Sequence, residues 1–174
     1  AFGEATFLKN TATLAAETKI MNEEVTLRAR LEGGYLYFLE GASRITDRYF
    51  MNSGIMRGFE PGGFGPRYTG DGENDALGGN TYAVVRLETE FPIGLPTEFG
   101  MHGGAFIDYG SLWDTGLSDV SDVLYNDFTP RAVAGLSLFW QTPIGPLRFN
   151  FMQPLMSESY DRPKSFDLTI ATSF

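Results

Sequence analysis

In Ser165-Phe166-Asp167-Leu168-Thr169-Ile170-Ala171-Thr172-Ser173-Phe174 every second side chain is bulky or β-branched and those between are small or polar. Phe166, Leu168, Ile170 and Phe174 fall on one side, Asp167 and Thr169 on the other. A period of two is the mark of a β-strand with one apolar face. A soluble strand can carry the same pattern. An aromatic terminus after several similar segments points instead to an outer-membrane barrel.

The pattern recurs upstream. Val25, Leu27, Ala29, Leu31, Gly33, Tyr35 and Tyr37 oppose Thr26, Arg28, Arg30 and Glu32. Val85, Leu87 and Phe91 oppose Arg86, Glu88 and Glu90. Phe99, Met101, Ala105, Ile107 and Tyr109 oppose Glu98, His102 and Asp108. Ala134, Leu136, Leu138 and Trp140 oppose Gly135, Ser137 and Gln141, while Leu147, Phe149 and Phe151 oppose Arg148 and Asn150. The first segment, Thr6 to Glu17, is too irregular for its faces to be assigned. With the terminal segment, about seven strands of bilayer-crossing length result, and no segment reads as an amphipathic helix.

Connections alternate in length. Lys19–Glu23, Pro92–Pro96 and Pro143–Pro146 are short; Leu39–Leu77, Asp114–Thr129 and Ser157–Pro163 are long. Membrane barrels place tight turns on the periplasmic side and extended loops outside. The sequence therefore predicts an all-β, transmembrane antiparallel β-barrel. Seven strands cannot close such a barrel, and open edges in lipid are costly. Residues 1–174 are accordingly expected to form the C-terminal portion of a larger, even-numbered barrel, without periplasmic repeat domains. The irregular first segment could alternatively hide one more strand.

Composition narrows the function. Thirteen Lys+Arg against 22 Asp+Glu give a net charge of -9, which disfavours nucleic acid as a partner. The absence of cysteine removes disulfides, thiolate metal sites and cysteine nucleophiles. No run approaches the roughly 18 apolar residues of a spanning helix. Ala1-Phe2-Gly3-Glu4 has neither region of a signal peptide. A mean hydropathy of -0.14 suits a barrel, whose inward positions are polar.

The stretch 39–77 exceeds the ordinary loop length of about 12–15 residues, and such loops are commonly functional. It contains Met56-Arg57-Gly58-Phe59, then Gly65-Pro66, with turn-forming glycines and prolines throughout. Read from the residues alone, Arg57 is a solvated loop arginine. The other chemistry-bearing residues lead nowhere. His102 lies six residues from Asp108, roughly 20 Å along a strand, too far for a dyad. Nucleophile-elbow, phosphate-loop and metal-spaced histidine motifs are missing. Asp114, Asp119, Asp122 and Asp127 do not follow a calcium-loop spacing. Neither a cofactor nor a metal is expected. Trp113, Trp140, Tyr35, Tyr37 and Tyr109 suit an interfacial girdle.

Several motifs in order resemble the BamA-type outer-membrane assembly factors, kin to TamA-type proteins and two-partner secretion transporters. They are Met56-Arg57-Gly58-Phe59 with Gly65-Pro66; Gly78-Gly79-Asn80 with Leu87-Glu88; Phe106-Ile107-Asp108-Tyr109-Gly110-Ser111-Leu112-Trp113-Asp114; Pro143-Ile144-Gly145-Pro146-Leu147; and the terminal Phe166 to Phe174. Met56 replaces the valine usual in the family. The resemblance implies that the Arg-Gly-Phe loop folds into the lumen, where Arg57 meets Glu88 and Asp108. It further implies a protein that inserts and folds other barrels without bond chemistry. Its working seam would lie at the last strand, which also looks like the C-terminal signal of new barrels. The implied partners are the outer-membrane bilayer, unfolded outer-membrane protein clients and periplasmic lipoprotein subunits. A polypeptide-secreting barrel of the same superfamily and a passive porin are the alternatives.

Overall fold

A computed structural model of the chain describes residues 6–117 and 120–170. Ten strands follow one another: β1 (Thr6–Ile20), β2 (Val25–Glu40), β3 (Arg67–Tyr68), β4 (Asp75–Ala76), β5 (Thr81–Pro92), β6 (Met101–Trp113), β7 (Val123–Leu124), β8 (Arg131–Thr142), β9 (Gly145–Met156) and β10 (Phe166–Ile170). Seven of them form one antiparallel sheet in the order β1-β2-β5-β6-β8-β9-β10. The two-residue strands β4, β3 and β7 make a small separate sheet among the long loops. No α-helix occurs among the described residues.

The irregular first segment is a strand paired with β2 along its length, with a register shift between Thr6 and Phe7. Its pairing assigns the faces that alternation left open. Ala16 opposes Ala29 and Leu14 opposes Leu31, so Leu8, Leu14 and Ile20 join the apolar side. Two boundaries differ from expectation. The strand expected to include Phe99 begins at Met101, because Thr97–Phe99 form a 3-10 turn closed by left-handed Gly100. The long loop runs from Gly41 to Asn80, not 39–77, since β2 carries its pairing to Glu40.

One face of the sheet exposes a belt of large apolar side chains across all seven strands: Leu14, Leu31, Tyr35, Leu87, Ile107, Leu136, Phe151 and Leu168 among them. A belt this broad on a water-facing surface would be an aggregation site. Against hydrocarbon it is the expected exterior of a barrel wall. The sheet curls away from that belt. Glu88 on β5 and Arg148 on β9 meet at 2.9 Å although β6 and β8 lie between them. Three strand spacings on a flat sheet are about 14 Å, so the polar face is the concave one.

That inner face is divided along its length. Near the short turns it is ionic. Towards the long loops it is apolar, where Leu36, Tyr82, Val84, Phe106, Leu112, Val133 and Met152 pack with Tyr49, Met51, Met56, Phe59 and Phe64 of the long loop. Polar alternation in the sequence predicts only the first half.

Glycines on the wall make room for aromatic rings. The Tyr82 ring lies over Gly34 of the neighbouring strand, and the Phe106 ring lies over Gly135 in the same way. Tyr82 then donates to Glu32 at 2.8 Å and meets Tyr49 edge-on at 4.8 Å. A Gly34→Val variant, which displaces that ring, is expected to lose about 1–3 kcal/mol from overpacking. Urea unfolding of the full chain in detergent checks this through a lower midpoint at unchanged slope.

Candidate functional site

Arg57 reaches the inner wall from the long loop and is 2% exposed. Its Nε donates to Asp108 Oδ2 at 2.9 Å and its Nη2 to Asp108 Oδ1 at 2.6 Å, a two-pronged pairing. The backbone N–H of Arg57 donates to the same Oδ2 at 3.0 Å. Nη1 donates to Glu88 Oε2 at 2.8 Å. The guanidinium plane sits 3.7 Å from the centre of the Phe106 ring. Charge-assisted, bidentate contacts of this kind fix orientation as well as charge.

The pairing depends on strand parity. Glu88 on β5 and Asp108 on β6 both point inward, opposite exposed Leu87 and Ile107. Register offsets them by two residues, with Asp108 beside Arg86 and Glu88 beside Phe106. One guanidinium can therefore bridge both carboxylates.

The site is wider than those three residues. Arg148 holds Glu88 Oε1 at 2.9 Å, and Arg28 approaches that oxygen at 3.5 Å while pairing with Glu90 and Glu17 at 2.8 Å. Arg86 lies 3.8 Å from Asp108 and donates to the Gly54 carbonyl at 2.7 Å. Arg148 also donates to Asn150 and Ser137. Four guanidinium groups (Arg28, Arg57, Arg86, Arg148) thus share four carboxylates (Glu17, Glu88, Glu90, Asp108). Inward parity marked Arg28, Arg86 and Arg148 as lining residues, but nothing in their spacing revealed the network.

Gly58 and Phe59 set the loop's path. Gly58 has φ +94°, a region that disfavours any Cβ, and a Cβ there would stand 2.6 Å from Val133 Cγ1. Phe59 is buried and meets Phe64 edge-on at 4.8 Å. The loop's base is tied to β1 and β2 as well. Tyr49 donates to the Asn10 carbonyl at 2.8 Å, and Lys9 lies over its ring at 4.4 Å. A hydrogen bond from Arg44 holds the Asp47 carboxyl below the usual carboxylate range.

A second buried ion pair escaped the sequence. Arg131, at the start of β8, grips Asp161 between β9 and β10 at 2.9 and 3.0 Å, and neither side chain reaches solvent. Of the terminal residues, Phe166, Leu168 and Ile170 are exposed on the apolar belt and Asp167 is buried on the inner face. Phe174 lies outside the described residues, as does Asp119. His102 is exposed, 3.6 Å from Glu90 and away from Asp108. Tyr35, Tyr37 and Tyr109 are exposed at the long-loop half of the belt and Trp140 at the short-turn end, while Trp113 packs on Phe128 at 5.0 Å. Among the described residues no group of acidic or histidine side chains has the geometry of a metal site.

Replacing Gly58 by Ala combines the left-handed backbone with the Val133 clash. The expected loss is about 1–3 kcal/mol, measured as a lower denaturant midpoint of the full chain in detergent.

Comparison with known proteins fits this geometry. The family model described as the Omp85 superfamily domain matches residues 1–174. The outer membrane protein assembly factor BamA of Neorickettsia risticii (strain Illinois) is 28% identical over 174 residues, covering 99% of this chain and 23% of that protein. BamA of Neisseria meningitidis serogroup B is 30% identical over 141 residues, covering 70% of this chain and 18% of that protein. The crystal structure of BamA from Haemophilus ducreyi lacking POTRA domains 1–3 superposes with a TM-score of 0.78 over 93% of this chain and 34% of that one, at 23% identity. The chain spans less than a quarter of the length of these curated relatives. It belongs to the Omp85 superfamily, as a stretch of BamA-type β-barrel wall in the bacterial outer membrane.

Proposed function

We propose that this barrel wall works in the insertion and folding of other β-barrel proteins into the outer membrane, with β10 as one side of a lateral seam. The observation that carries the reading is the family match over residues 1–174 together with two curated relatives named as assembly factors. β10 pairs with β9 over Phe166–Ile170 and ends the described sheet. A strand edge that opens at a seam offers unsatisfied N–H and C=O groups to another chain. A client strand adding there would extend the sheet by β-augmentation. Each such bond contributes only about 0.5–1.5 kcal/mol net, so a short edge holds a client reversibly. Phe166, Leu168 and Ile170 would keep the growing sheet's outer face in lipid.

In this reading Arg57, Gly58, Phe59, Glu88 and Asp108 form a lock that holds the long loop on the inner wall. A loop packed on the inner wall would narrow the lumen and favour traffic at the seam. The names of the relatives support the same assignment, since both curated ones are assembly factors. Unfolded outer-membrane proteins are the proposed clients, the bilayer is the immediate surroundings, and periplasmic lipoproteins are the proposed accessory subunits.

Two outcomes test these proposals. Full-length protein in liposomes is expected to speed the folding of a urea-denatured eight-stranded barrel, read by the heat-modifiable shift on gels. Steady, large conductance without any such acceleration would point to a porin and overturn the assignment. For the lock, Arg57→Ala removes both side-chain bonds to the fully buried Asp108 carboxylate and leaves it the backbone N–H of residue 57 at 3.0 Å and Arg86 at 3.8 Å. The expected loss is about 3–5 kcal/mol of local stability, seen as rapid proteolysis within residues 41–80. Resistance equal to that of the unaltered protein would count against a lock.

A further inference from the structure

The chain between β9 and β10, residues 157–165, does more than connect them. Arg162 N–H donates to the Gly63 carbonyl at 2.8 Å, and its own carbonyl accepts from Glu60 N–H at 2.9 Å. Lys164 N–H donates to the Gly58 carbonyl at 2.9 Å, and Phe59 faces Pro163 in an antiparallel bridge. The connector is thus laid as a short strand along the Arg57-Gly58-Phe59 segment. Immediately afterwards Ser165 accepts from Met152 N–H at 2.8 Å, and Phe166 begins its pairing with Phe151.

That sequence leaves no slack. From Lys164, fastened to the loop, to Phe166, fastened to β9, is two residues, at most about 7 Å of extended chain. The loop cannot withdraw by more than a few ångströms without peeling Phe166 from β9 or breaking the connector's own bonds.

Arg131 and Asp161 hold the connector's other half. Asp161 receives two bonds from Arg131 and one from Glu158 N–H, at 2.9, 3.0 and 2.8 Å. Arg131 also donates to the Thr129 carbonyl at 2.6 Å. Its guanidinium lies 5.3 Å from the centre of the Phe64 ring, which packs on Phe59. One buried cation therefore touches both the connector and the aromatic pair of the loop.

We propose that residues 157–165 couple the Arg57 loop to the terminal strand, with Arg131 and Asp161 as positioning residues for β10. Release of either ion pair loosens the other's segment, and loosened loop and loosened edge occur together. The idea rests on the reading of β10 as the working edge. Coupling between two sites is reciprocal by linkage.

The test is hydrogen exchange on the full chain in nanodiscs, comparing Arg57→Ala, Asp161→Asn and the double variant with the unaltered protein. Arg57→Ala is expected to speed exchange across residues 162–170, and Asp161→Asn across 56–63, each by roughly 5–150-fold. The double variant should fall short of the product of the two. Gly63→Ala serves as an independent probe that keeps both ion pairs. Its Cβ would stand 2.6 Å from the Glu60 carbonyl oxygen and 2.8 Å from the Arg162 carbonyl oxygen and wedge connector from loop. It is expected to speed exchange across β10, residues 166–170, which it does not touch, and it decides the matter should Asp161→Asn fail to fold. Variants that speed exchange only in their own segment would overturn the coupling. No client is present in this measurement, so failure here is distinct from failure of the assembly reading, which appears in the liposome assay.

Discussion

A guanidinium taken out of water has to be met by fixed negative charge, and Arg57 imposes that condition on the whole interior. Two carboxylates from adjacent strands meet it, and each of those is itself shared with further arginines. The result is an inner wall close to electroneutral in a chain of net charge -9. The surplus acid lies elsewhere, chiefly in the long loops, at Asp71, Glu73, Asp75, Asp114, Asp122 and Asp127. Curvature follows the same condition. Glu88 reaches Arg148 only because the sheet bends around the loop it holds.

The other half of the interior obeys a different rule. Where the long loop lies on the wall, its aromatic and methionine side chains pack with Tyr82, Phe106, Leu112 and Val133 as an ordinary hydrophobic core does. Glycines at 34 and 135 let the rings lie flat. The barrel wall thus carries hydrocarbon on its outside, a packed core with the buried Arg131–Asp161 pair inside its loop half, and an ionic network inside its turn half. Arg57 sits at the boundary of the last two, with Phe106 beneath it and carboxylates beside it.

Much of this was legible in the residues, because a strand's faces are local information. Leu87 against Glu88, or Ile107 against Asp108, fixes orientation from sequence neighbours alone. The strand at Thr6–Ile20 resisted such reading since Asn10, Ala12 and Thr18 weaken its apolar face while Thr11, Thr13 and Ala15 weaken the polar one. Only the register with β2 sorted them. The partners of Arg57 came from family resemblance and not from spacing, as 31 and 51 residues separate it from Glu88 and Asp108. Arg131 with Asp161, and the backbone pairing of Glu60 with Arg162, were invisible for a similar reason. Main-chain bonds between two loops carry no side-chain signature.

Pro154 has a mechanical consequence. Met152 points its N–H towards β10, and alternation gives residue 154 the same heading. Proline offers no hydrogen there, so the ladder between β9 and β10 has no further rung beyond Ser165 in that direction. Pro146 has the same heading at the other end of β9, so Arg148, Asn150 and Met152 are the donors that this side of the strand turns towards β10. A proline at either end closes the ladder, and β10 has one window in which its rungs can all be made.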